Sequence, residues 1–243
     1  MSIWEYANPK KFMATTAPLI PWVFGGSMLL IVVGLLWGLF ATPAADQFEH
    51  SVKILFVHVP SALMAINGWM MMLVASLIWL IRRHHVSALA ARAAAPIGAI
   101  MTVIALATGA IWGQPTWGTW WAWEPRLTSF LILFLFYIGY MALWTAIEDN
   151  DTAADLTSVL CIVGSVFAVL SRYAAMFWGK GLHQTATFSA DRETNIDASF
   201  WWPAVISMLG FGLFFVALVL IRTNTHIRLR RADALEARAR RAA

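Results

Sequence analysis

The chain has 243 residues, 60% of them hydrophobic and 12% charged, with a formal net charge of +4. A soluble domain of this size is nearer half apolar and a quarter charged, so the composition excludes an ordinary water-soluble protein. The single cysteine, Cys161, excludes an internal disulfide.

In chain order, the first twenty residues carry Trp4, Glu5, Tyr6, Lys10 and Lys11, without a compact apolar core ending in a small-residue cleavage site. No cleaved signal peptide is expected, and the first span stays as a helix. Crossing the ~30 Å hydrocarbon core takes about 20 apolar residues. Six stretches meet that length: 21–41, 54–81, 93–112, 127–147, 156–178 and 201–221. The expected fold is all-α: one polytopic membrane domain, 1–243, with six transmembrane helices and no internal repeat.

Basic residues are retained on the cytoplasmic side. Lys10, Lys11, Arg82, Arg83, Arg92, Arg222, Arg228, Arg230, Arg231, Arg238, Arg240 and Arg241 all fall on one side of the six-span arrangement. Only Lys53, Arg126, Lys180 and Arg192 fall on the other, with Arg172 near the outer end of span five. Both termini are therefore expected in the cytoplasm. The acidic connection "EDNDTAAD" carries little weight in this rule. The basic tail, 222–243, reads as a juxtamembrane stop lying against anionic lipid, and no nucleic-acid partner is expected.

This topology sorts the histidines. His84, His85 and His226 fall among cytoplasmic arginines and are expected to be solvated. His50, His58 and His183 fall on the outer side. His58, in "ILFVHVPSALM", lies about one turn inside an apolar run, where an imidazole is either hydrogen-bonded to a neighbouring helix or holds a ligand. His183, in "FWGKGLHQTATF", follows Gly179 and Gly181 in a connection and is either solvated or a second ligand. Two histidines do not complete a zinc site. They suffice for haem, where the porphyrin supplies four nitrogens and the protein only the axial ligands.

The same side carries "GQPTWGTWWAWEPRLTS", residues 113–129, with four of the fourteen tryptophans. Trp117, Trp120, Trp121 and Glu124 follow an i, i+3, i+4, i+7 pattern that predicts a short helix with these side chains on one face; Trp112 and Trp123 lie off it. Pro115 and Pro125 bracket the segment, and Pro125 predicts a boundary near Glu124. An interfacial anchor needs one or two indoles. Four, with a carboxylate aligned on the same face, favour a platform for stacking a flat ligand. Arg126 either pairs with Glu124 or meets an anionic ligand group, since a planar guanidinium suits carboxylates such as haem propionates. Arg172, beside Tyr173, either does the same or snorkels to the interface.

"WGTWWAWEPRLTS", with "VHVP" upstream and "LHQ" downstream, resembles the tryptophan-rich WWD-type signature of the haem-handling proteins of cytochrome c biogenesis. Six spans, the chain length and both termini inside match the CcmC family among them. The resemblance implies that His58 and His183 are the axial haem ligands and that residues 117–129, including Trp123, bind haem at the periplasmic face of a bacterial inner membrane. The cargo it implies is haem b, held non-covalently. The partners implied are a CcmA/CcmB ATP-binding-cassette pair, a small CcmD-type membrane protein and the periplasmic chaperone CcmE, which attaches haem through its own histidine. The resemblance implies that ATP hydrolysis belongs to the cassette subunit and that this chain is a carrier with no bond-forming catalytic residue and no enzyme activity; the lack of a G-x-x-x-x-G-K-[ST] loop agrees with that division of labour. Without Cys-x-x-Cys-His, the chain does not attach c-type haem itself. One departure stands out: the family usually has aspartate then alanine where this chain has Glu124 then Pro125.

Two other functions compete. A bis-histidine membrane b-type cytochrome carries electrons through ligands deep in facing helices, whereas no expected span has a central histidine. A small-molecule permease needs polar or helix-breaking residues at mid-membrane, for which Asn67, Gly68 and Gly98 are the candidates.

Overall fold

The computed structural model describes residues 3–44, 50–177 and 198–242. Helix α1, Pro9–Thr16, begins at an Asn8 cap whose side chain accepts from Lys10 N–H at 2.9 Å. The larger helices are α2 (Ile20–Leu36), α3 (Leu55–Arg82), α4 (His85–Trp117), α5 (Pro125–Ala146), α6 (Asn150–Phe177) and α7 (Ala198–Ala242). A π-helical turn, Trp37–Ala41, continues α2, and a 3₁₀ turn, His50–Ile54, leads into α3. Six of these segments are long and apolar enough to cross a membrane, and no strand occurs among the described residues.

All six expected spans are present, with two differences at their ends. Helix α4 begins at His85, eight residues before the expected start, so the connection from α3 shrinks to Arg83 and His84. The cause is local: "ALAARAAA" is rich in strong helix formers, and His84 Nδ1 accepts the Ser87 N–H at 3.1 Å, capping the helix. Helix α7 runs 45 residues, about 68 Å, because the basic tail of Ala, Leu, Arg and Glu continues the helix rather than ending it. His84 is thus a cap and His226 is half-buried, contrary to the expectation that both are solvated; His85 is exposed.

Helices α3 and α4 form the central hairpin. Helices α5 and α6 pair beside it, α7 packs on α3 and α4, and α2 lies outermost on α7. The outer faces carry apolar side chains such as Trp22, Leu29, Ile81 and Ile100, the surface a lipid environment accepts.

The interior is organised around Trp69 of α3. Tyr137 and Phe136 of α5 meet its ring edge-on, at 4.6 and 6.1 Å, and Tyr140 lies 6.4 Å away. Trp69 Nε1–H donates to the Cys161 carbonyl of α6 at 3.1 Å, and Tyr137 Oη–H donates to the Ala65 carbonyl of α3 at 2.7 Å. Glycines make room for the rings. A Cβ at Gly98 would overlap the Tyr137 ring, and one at Gly164 would overlap Trp69. Gly68 likewise faces Phe215 of α7, and Asn67 is exposed on α3. Both mid-span glycines named as permease features are therefore occupied by packing.

At the end away from the tryptophan segment, Trp79 Nε1–H donates to Asp155 Oδ1 at 2.9 Å, and Arg83 pairs with the same carboxylate. Arg92 sits 4.7 Å over the Trp144 ring, and Arg222 Nε–H donates to the Ala93 carbonyl at 3.1 Å. Cationic heads here are absorbed by ring faces and carbonyls.

Gly98→Ala is expected to lower the melting temperature in detergent clearly, because overpacking costs about 1–3 kcal/mol and displacing Tyr137 orphans a buried hydroxyl. Gly212→Ala, where an added Cβ meets nothing within 4 Å, is expected to match or exceed the parent. Equal melting of the two variants would mean that the Tyr137 contact does not hold the bundle.

Candidate functional site

Helix α4 stops at Trp117 because Gly118 takes φ +75°, a left-handed cap in which its N–H donates to the Gln114 carbonyl at 2.9 Å. Glycine adopts this conformation without a Cβ penalty. Residues 119–124 are not helical. Thr119 Oγ1–H donates to the Trp121 carbonyl at 2.8 Å and accepts the Trp121 N–H at 3.3 Å, closing a turn. Glu124 N–H donates to the Ala122 carbonyl at 2.9 Å. Pro125 then holds Glu124 extended, at φ −103° and ψ 159°, and opens α5.

This corrects the expected short helix. Trp117, Trp120, Trp121 and Glu124 do not share a helical face; the first ends α4 and the others occupy a turn. The helical spacing misled because Gly118 terminates the helix one residue after Trp117. The indoles form two edge-to-face pairs instead. Trp112 and Trp117 lie 5.1 Å apart at 75°, and Trp121 and Trp123 lie 5.5 Å apart at 78°. Trp120 and Trp123 are 62% and 78% exposed, so these two present their rings outward, while Trp117 and Trp121 are half-buried. The Trp121 Nε1 donor is buried with no hydrogen-bond partner among the described residues. The boundary expected at Glu124 is where the structure has it.

His58 sits in the first turn of α3, half-buried, with Nδ1 3.0 Å from Thr108 Oγ1 of α4. Thr108 Oγ1 also lies 2.6 Å from the Ile104 carbonyl. Two glycines of α4 set the approach. A Cβ at Gly109 would stand 3.0 Å from His58 Cε1, and one at Gly113 would stand 3.1 Å from the Trp117 ring and 3.2 Å from the Thr119 carbonyl oxygen. Residues 109 and 113 lie on one helix face, about 6 Å apart along the axis. The imidazole and the tryptophan turn therefore occupy successive positions on the same face of α4.

The charged members also converge. Arg126, in the first turn of α5, lies in the attractive field of Glu124 and the repulsive field of Arg172 from the far end of α6. The Arg172 guanidinium is 5.9 Å from the Tyr173 ring centroid. The Glu124 side chain makes no capping hydrogen bond to α5. Of the site residues expected from sequence, His58, Trp117, Trp120, Trp121, Trp123, Glu124, Arg126 and Arg172 belong to this end of the bundle. His183 lies outside the described residues.

Sequence reasoning did not single out Thr108, Gly109 or Thr119. A signal existed in "ATGAIWG", where Gly109 and Gly113 stand four apart, the spacing of a groove on one helix face.

The fold and this end of it define a class: a polytopic helical membrane protein in which a half-buried histidine and a tryptophan-rich turn occupy successive positions on one face of a helix. The chain matches the family model for Heme exporter protein C (CcmC) over residues 2–238. It is 68% identical over 240 residues to Heme exporter protein C of Rhodobacter capsulatus, covering 99% of both chains. It is 65% identical over 242 residues to that of Paracoccus denitrificans, with full coverage of both, and 36% identical over 225 residues to that of Escherichia coli K12, covering 93% of this chain and 90% of the relative. The chain belongs to the Heme exporter protein C family.

Gly118→Ala is expected to cost about 1–2 kcal/mol by forcing a Cβ into the left-handed region. The readout is faster amide exchange across 118–124 with exchange in the middle of α4 unchanged. Unchanged exchange in the turn would show that the cap does not hold it.

Proposed function

We propose that the chain binds haem at the periplasmic face of a bacterial inner membrane and hands it to a CcmE-type chaperone, as part of a CcmABCD-type complex. The observation that carries this reading is the placement of His58 and the tryptophan turn on one face of α4, in a chain whose relatives along its whole length are named haem exporters. The excess of basic residues at the opposite end supports the orientation, with both termini in the cytoplasm.

The side chains present fit the cargo. His58 supplies one axial imidazole and His183 the second, giving the low-spin iron typical of two nitrogen ligands. Trp120 and Trp123 offer apolar ring surface to the porphyrin. Arg126 and Arg172, two guanidinia with Glu124 as the nearby counter-charge, suit the carboxylates of the propionates. The buried Trp121 N–H is a donor that a propionate oxygen would satisfy. Iron in bound haem b is held by coordination alone, so release requires exchange of an axial bond and no covalent chemistry here. An exposed turn leaves a porphyrin edge open to the receiving protein. The chain acts as a carrier, and ATP hydrolysis falls to the cassette subunit. The Glu124–Pro125 pair keeps the family's carboxylate but extends it by one methylene, and Pro125 fixes its backbone.

The test is the visible spectrum of detergent-purified protein, with His58→Ala and His183→Ala, each expressed with the cassette partners and chaperone. The expected result is a low-spin haem spectrum whose ligation changes in both variants, with loss of haem-loaded chaperone. Colourless parent protein, with normal chaperone loading in both variants, would overturn the reading and return the indoles to interfacial anchoring.

A further inference from the structure

An imidazole binds iron through one nitrogen, and which nitrogen is available depends on where its proton sits. A metal-bound histidine normally donates its other N–H to a fixed acceptor, which orients the ring and raises its basicity. In this chain the relevant neighbour of His58 is Thr108. Its hydroxyl has one hydrogen and two lone pairs. Thr108 Oγ1 lies 2.6 Å from the Ile104 carbonyl oxygen, a separation that two acceptors reach only with a hydrogen between them. That hydrogen is therefore spent within α4. Toward His58, at 3.0 Å, the hydroxyl offers a lone pair, and the imidazole must be the donor.

We propose that Thr108 is a positioning residue that holds His58 as its Nδ1–H tautomer, leaving Nε2 as the basic nitrogen for iron, and that residue 109 is glycine because the imidazole takes the place of its side chain. The proposal rests on the reading of His58 as a haem ligand. It adds a residue on a different helix, two and a half turns before the tryptophan turn, that decides how the ligand is presented. Thr108 touches neither iron nor porphyrin; it acts through the ring. The glycine supports the same geometry independently. A Cβ at 109 would approach His58 Cε1 to 3.0 Å, closer than ordinary contacts, so the ring would have to give slightly and its fit against the hydroxyl would be disturbed. Because Thr108 and Gly109 are carried by the helix that ends at Trp117, ligand orientation and platform position are set by one rigid element.

The experiment uses the full chain with Thr108→Val, Thr108→Ser, Gly109→Ala and His58→Gln. In haem-free protein labelled with ¹⁵N-histidine, His58 is identified by the resonances missing in His58→Gln. The expected result is a protonated Nδ1 and an unprotonated Nε2 in the parent and in Thr108→Ser, with the preference lost in Thr108→Val. With haem bound, Thr108→Val is expected to weaken haem retention about 10-fold or more, the usual effect of removing such a partner. It should also raise the midpoint potential, because a less basic imidazole stabilises ferric iron less. Gly109→Ala should move retention and potential the same way. Thr108→Ser should restore the parent values, which separates the hydroxyl's role from a packing defect.

A parent His58 protonated on Nε2 would overturn the proposal at once. So would Thr108→Val with parental tautomer, retention and potential, provided His58→Gln loses haem ligation. If His58→Gln keeps the parental haem spectrum, the haem-ligand reading itself fails, and this inference fails with it.

Discussion

Polar groups inside a membrane bundle have no water to fall back on, and the Trp69 cluster shows how this chain meets that constraint. The Trp69 N–H and the Tyr137 O–H each close on a backbone carbonyl of another helix, tying α3 to α6 and α5 to α3. Between helices in lipid there is no strong hydrophobic drive, so packing and hydrogen bonds of this kind, about 0.6–2 kcal/mol each, carry the association. The rings contribute a further ~0.5–1.5 kcal/mol per edge-to-face pair. Gly98 and Gly164 supply the space, which is why neither tolerates a side chain. The cluster fixes α3 against α4 at mid-bundle, and that register carries to the end where His58 meets Thr108.

Helix α4 is the structural link between the candidate ligand and the platform. Its capped, alanine-rich start and its glycine stop define its length, and its Thr108–Gly109 and Gly113 positions hold first the imidazole and then the turn. Nothing in this arrangement depends on the turn being helical. A turn pinned by a threonine hydroxyl and bracketed by Gly118 and Pro125 presents two outward indoles, Trp120 and Trp123. On the proposed reading, an exposed flat surface beside the candidate ligand suits cargo that is handed on better than an enclosed pocket does.

The opposite end solves a different problem. Many cations are brought close together there, and the chain quiets them without matching each to an acid. Arg83 shares Asp155 with Trp79, Arg92 lies on Trp144, and Arg222 reaches a carbonyl. From Arg231 onward α7 continues as an exposed helix, so the charge of that last stretch is carried away from the bundle rather than folded onto it.

Much of this was legible in the sequence. The six spans follow from apolar run length, since spanning hydrocarbon demands about 20 such residues whatever their neighbours. The boundary at Glu124 follows from Pro125, whose ring acts on the preceding residue alone. The tryptophan signature marked the family. Local pattern failed where a single distant or neighbouring atom decided the outcome. Gly118, one residue after Trp117, turned a helical spacing into a turn. Arg126 and Arg172 stand 46 positions apart in sequence, and only the pairing of α5 with α6 brings their fields together. His58 meets Thr108, a residue with no marking of its own. The sequence by itself determined where the membrane segments lie and which residue types gather at each end, because those depend on composition and short-range sterics. Only the tertiary structure decided which side chain faces His58 and which indoles face outward, because those depend on how α3 and α4 are registered by the rings packed between them.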